Sequence, residues 1–67
     1  MFAVLEYQSN NGTLAVLVTS YNEYNDALAK FFQTMISATQ SEVEKHTVAI
    51  VDEFGTVIRK ETVFHEK

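Results

Sequence analysis

The sequence predicts an α+β fold: two antiparallel β-hairpins flanking one helix in the order ββαββ, giving a four-stranded antiparallel sheet with the helix on one face. Three observations carry that expectation. Asn11-Gly12 lies between two strand-like runs. Both central residues of a type I′ turn need φ > 0, which asparagine tolerates and glycine adopts freely. A second turn signal closes around Asp52 to Gly55, between β-branched runs. The stretch between the hairpins repeats its apolar residues at intervals of three and four, the period of a helix packed on one side.

In chain order, the first strand runs from Phe2 to Gln8 and the second from Thr13 to Thr19. A two-residue turn sets Tyr7 opposite Val16 and Leu5 opposite Val18. One face of this hairpin carries Ala3, Leu5, Tyr7, Leu14, Val16 and Val18, and its unbroken apolar character marks it as the expected core face. The reverse carries Phe2, Val4, Ala15 and Leu17 beside Glu6, Gln8 and Thr19, which is more apolar than a solvated face requires. Ser20 and Glu23 have the spacing of a capping box, so the helix is expected to begin there. Tyr24, Leu28, Phe31, Met35 and Ala38 trace the stripe that packs on the sheet. Asn22, Asp26, Lys30, Gln33, Ser37 and Gln40 form the wet side, with Asp26 and Lys30 spaced as an i,i+4 pair. Phe32 and Ile36 fit neither set, and they mark either the edge of the monomer core or an interface.

Thr39 to Glu44 is polar and carries the chain to a third strand, His46 to Val51. Gly55 suits the left-handed position of a three-residue turn closed by Asp52 and Thr56, after which Val57 to Val63 returns as the fourth strand. That register sets Ile50 opposite Ile58, Val48 opposite Lys60 and His46 opposite Thr62, and on the other face Val51 opposite Val57, Ala49 opposite Arg59 and Thr47 opposite Glu61. Both faces are mixed. Such a sheet fits a helix on one side and a second subunit, or a ligand, on the other.

Sixty-seven residues form a single domain, 1–67, with one thin core. A chain that short buries only about 60% of its unfolded surface, so it needs an additional source of stability. There is no cysteine, and two histidines do not complete a structural zinc site without several carboxylates. Oligomerisation is the source that remains. Phe2, Leu17, Phe32 and Ile36 are the expected interface residues of a homodimer or higher oligomer. Hydrophobic residues make up 46% of the chain, well above a disordered composition. The net charge of −4 argues against general nucleic-acid binding, which needs a basic face. No run approaches the roughly 20 apolar residues of a membrane span, and the first residues lack the basic region of a signal peptide. A cytoplasmic location without membrane association is the expectation.

The catalytic inventory is thin. No cysteine nucleophile, glycine-rich phosphate loop, paired metal-spaced histidines or strained serine elbow is present, so no enzymatic activity, cofactor or metal is expected. The chemistry lies in a candidate basic end. His46 begins the third strand and His65 follows the fourth, which brings both to one end of the second hairpin near Lys45, with Arg59 and Lys60 further along. A basic end on an acidic protein is suited to receiving an anion. The plainer alternative pairs these cations with Glu42, Glu44 and Glu61 on a solvated surface. Tyr21, beside the expected helix start, completes the ligand-binding set of Lys45, His46, Arg59, His65 and Tyr21. Tyr7 and Tyr24 are the other stacking candidates, with Tyr24 read chiefly as core edge. Glu6, Glu23, Glu42, Glu44, Glu53 and Glu66 offer a phosphate-like acidic surface or, more simply, a solvated one.

The segment from Asp26 through His65 adds a resemblance. Ala27, Lys30 and Phe31 in the helix, the run Ser41-Glu42-Val43-Glu44-Lys45-His46, and Gly55-Thr56-Val57-Ile58 with Glu61 and His65 resemble a group of short proteins of phages and mobile elements of Gram-positive bacteria. The specific part is the Ser-x-Val-x-x-His segment after a helix and before a strand. The resemblance covers about two thirds of the chain. It implies a phage context and transfers no catalytic residue. Phage proteins of this size that do not build the virion are often accessory inhibitors of host defence. Two functions follow as expectations. One is a homo-oligomeric module that sequesters a small anionic, nucleotide-like ligand of host defence. The other is a protein-binding inhibitor of a host defence enzyme, anti-CRISPR-like, which presents an acidic surface or a strand edge.

Overall fold

A computed structural model of the protein describes residues 1–65. The elements are β1 (Phe2–Asn10), β2 (Thr13–Tyr21), α1 (Tyr24–Gln40), β3 (Lys45–Asp52) and β4 (Val57–Phe64). They form one antiparallel sheet in the order β2-β1-β3-β4, with α1 packed on one face chiefly over β1 and β3. This is the expected ββαββ arrangement.

Both turns form as their residues dictate. Asn11 has φ 52° and Gly12 φ 77°, the left-handed pair of a type I′ turn, and Tyr7 and Leu5 face Val16 and Val18. A Cβ added at Gly12 would meet no atom within 4 Å, so its cost is backbone strain alone. Gly12→Val is therefore expected to destabilise the fold by about 1–2 kcal/mol, and an unchanged urea midpoint would remove this account of the turn. In the second turn Gly55 has φ 84°, Asp52 N–H donates to the Thr56 carbonyl at 3.0 Å, and Asp52 Oδ1 accepts from Phe54 and Thr56 N–H at 2.9 Å each.

The structure corrects the expected core face. The buried cluster is Val4, Ala27, Phe31, Val48 and Ile50, flanked by Phe2, Tyr21, Tyr24, Leu28 and Met35. The helix therefore covers the side of Phe2 and Val4, while Leu14, Val16 and Val18 stay exposed. Both faces of the first hairpin are apolar, so alternation alone could not choose between them. The β1–β3 register decides it: Val4 pairs with Ile50 and Glu6 with Val48, which aligns the two fully buried aliphatic side chains of β3 with Val4 under the helix. Phe2, expected at an interface, is partly buried against this core, where its ring meets that of Tyr24 edge-on at 5.5 Å.

Two further expectations are corrected. Ser20 does not begin the helix. It remains in β2 opposite Ala3, with Tyr21 opposite Phe2, and the helix starts after Glu23, which makes no side-chain cap bond. The strand ladder continues through the Phe2–Tyr21 pair in place of an early helix start, whose side-chain cap bond is worth only about 1 kcal/mol. The second hairpin follows the expected register at Val51 and Val57 only. A bulge then advances β4 by one residue, so Ile50 faces Arg59, Val48 faces Glu61 and Thr47 faces Thr62. The Thr47 and Thr62 hydroxyls lie 2.9 Å apart across this pair. Such a bulge re-aims every side chain beyond it, and here it moves Arg59 to the helix side of the sheet.

Candidate ligand-binding site

The expected ligand set does not gather at one place within the chain. His46 stands on the helix side of β3 and is 4% exposed. Its Nε2 lies 2.8 Å from Glu6 Oε2, off the axis of an aligned ring hydrogen bond, and Nδ1 has no hydrogen-bond partner. Gln8 Nε2 donates to the same carboxylate oxygen at 3.2 Å. This polar cluster belongs to the packing beneath α1. His65 closes the other side of the helix end: its N–H donates to the Glu44 carbonyl at 2.8 Å and its Nε2 lies 2.7 Å from the Ala38 carbonyl. A carbonyl oxygen only accepts, so Nε2 carries the hydrogen and caps a C-terminal turn that has no basic residue of its own. Lys45 is exposed at the far end of β3, opposite Phe64, and alternation points it away from the helix side that holds His46. Tyr21 packs against the core cluster at the end of β2.

Arg59 is the member of the set that presents its charge to solvent in a fixed geometry. Its guanidinium carbon lies 5.3 Å from the ring centroid of Phe32 and 5.8 Å from that of Phe31. The two rings meet edge-on at 5.6 Å, with Phe31 buried and Phe32 47% exposed. No carboxylate among the described residues lies within ion-pair distance of Arg59. The bulge after Ile50 made this contact possible, and no signal in the hydrophobic pattern announces a bulge at that position. Ile50 and His46 are four residues apart on β3, which sets Arg59 roughly 13 Å from the expected basic end along the strand.

A cleft of about 190 Å³ opens on the opposite flank of α1, between the helix and β2, lined by Val4, Glu6, Leu17, Thr19, Lys30 and Thr34. Leu17, expected at an interface, stands half-exposed on its floor. Lys30 makes no ion pair with Asp26, although their spacing allows one. The Thr34 hydroxyl donates to the Lys30 carbonyl at 2.8 Å. Two of the acidic residues are engaged within the chain: Glu6 contacts His46, and Glu44 Oε1 accepts from the Asn11 N–H at 2.8 Å; Glu66 lies outside the described residues. No helix among the described residues is long and apolar enough to cross a membrane. Compared with known proteins, the chain matches no family model, and no curated protein or solved structure is significantly similar to it.

Proposed function

We propose that this chain is a non-enzymatic binding module that acts as a homo-oligomer and takes up a small anionic, nucleotide-like ligand. The observation that supports the reading is the Arg59–Phe32 pair. A guanidinium already held on two aromatic faces loses little freedom when it accepts a phosphate, and the exposed Phe32 ring beside it offers a face for a base. Ile36 extends the apolar ridge on α1 and is 62% exposed. Lys45, His65 and Tyr21 join the site only if a neighbouring subunit brings them to it, and His46 is too deeply buried to take part. The phage and host-defence setting, with a cytoplasmic location in the host cell, rests on the resemblance of residues 26–65.

Calorimetric titration with a panel of linear and cyclic nucleotides tests this reading. Arg59→Ala is expected to cost roughly 1.5–3 kcal/mol of affinity for each charge-assisted hydrogen bond it removes, with the circular dichroism spectrum unchanged. Added salt should weaken wild-type binding. Wild-type protein that ignores the whole panel refutes the ligand. If that protein also co-purifies stoichiometrically with a host protein, the alternative holds, an inhibitor acting through a strand edge.

A further inference from the structure

The two edges of the sheet differ in how they are protected. β4 carries Arg59, Lys60 and Glu61 in succession and a bulge after Ile50, and charges and bulges are what discourage further strand pairing. β2 has neither. Its nine residues, Thr13 to Tyr21, contain no charge, proline or glycine, and its register with β1 is unbroken from Thr13 to Tyr21. Every residue from Thr13 to Ser20 is exposed. In a two-residue hairpin Asn10 and Thr13 form a hydrogen-bonded pair, so Thr13, Ala15, Leu17, Thr19 and Tyr21 bond to β1. Leu14, Val16, Val18 and Ser20 then turn their N–H and C=O groups outward.

We infer that the occupant of this edge is a second copy of the chain, bound as an antiparallel β2–β2 pair about a two-fold axis at Leu17. The sequence of β2 is compatible with itself in that register. Leu17 meets Leu17 of the second copy, Val16 meets Val18, Ala15 meets Thr19, Leu14 meets Ser20 and Thr13 meets Tyr21, so no charge faces a like charge. The outward groups then form about eight hydrogen bonds, and Leu17 falls on a pair without them, where Cα atoms lie about 4.5 Å apart. Two four-stranded sheets become one of eight strands, with both helices on the same face. The cleft beside each β2 then adjoins its symmetry mate across the Leu17 pair, which makes a groove with Lys30 on either wall. The inference shares self-association with the function proposed above and is independent of the ligand.

Light scattering and disulfide trapping test it. The chain has no cysteine, so a single introduced one reports only its own pairing. Leu17→Cys is expected to oxidise to a covalent dimer at micromolar concentration, because a pair about 4.5 Å apart suits disulfide geometry. Leu14→Cys, which faces Ser20, should cross-link at least tenfold more slowly. Leu17→Asp should weaken the wild-type dimer at least tenfold through two carboxylates at the axis, and because Leu17 is exposed the fold is retained. Arg59→Ala should dimerise as wild type does, which separates a failed ligand from a failed interface. A monomeric wild type overturns the inference, as do equal cross-linking at both cysteines and a dimer that survives Leu17→Asp. A dimer that falls apart with Val57→Asp on the open sheet face, but not with Leu17→Asp, also overturns it and assigns association to that face.

Discussion

Phe31→Ala is expected to lower the unfolding free energy by about 3–5 kcal/mol. Phe31 is 1% exposed and sits where the helix meets the β1–β3 centre of the sheet. Small domains are stable by roughly 0.05–0.15 kcal/mol per residue, so the loss is comparable with the whole stability of a 67-residue fold. Removing the ring also deletes one of the two faces under Arg59. The variant should be largely unfolded at 37 °C by circular dichroism, whereas Phe31→Leu keeps most of the volume and should remain folded. A cooperative Phe31→Ala transition within about 1 kcal/mol of wild type would place the core elsewhere.

The second large effect falls on the polar cluster beneath α1. His46→Ala removes a buried ring and leaves the Glu6 carboxylate, 18% exposed, without its 2.8 Å partner. The cavity left by the ring and the loss of a polar neighbour for the largely buried Glu6 side chain together set an expected cost of about 2–3 kcal/mol. Replacing both residues, Glu6→Leu with His46→Leu, should recover most of that loss, because an apolar pair of similar volume fills the space and leaves neither position with a buried polar side chain. Urea denaturation of the two variants beside Lys45→Ala, an exposed neighbour, gives the comparison. If His46→Ala costs no more than Lys45→Ala, the cluster does not stabilise the fold. If the double variant is the weaker one, Glu6 and His46 contribute more together than hydrophobic packing can replace.

Arg59 and His46 show why the candidate site was only partly legible in the sequence. Arg59 was identifiable as an arginine on the fourth strand, but the face it points to depends on one extra residue in β4, which no local signal marks. His46 was identifiable as a histidine at the start of a β-branched run. Its burial depends on Gln8 and Glu6, which are about forty positions away in sequence and adjacent across the β1–β3 ladder. His65 and Lys45 do lie toward the same end of the second hairpin, as antiparallel pairing requires. There His65 is engaged by backbone carbonyl groups of the helix end and the β3 approach.

The sequence by itself determined the order of elements, both turns and the helical stripe, because each depends on neighbours within a few positions: φ > 0 at Asn11, Gly12 and Gly55, the Asp52 side chain over its own turn, and the spacing of Tyr24, Leu28, Phe31, Met35 and Ala38. Only the tertiary structure decided which face of the first hairpin the helix covers, where β2 ends, and which way Arg59 points. Those outcomes turn on contacts between segments far apart in the chain. Where both faces of a strand pair are apolar, the alternation has no sign, and the choice falls to the partner strand whose aliphatic side chains are buried beneath the helix, here Val48 and Ile50 of β3.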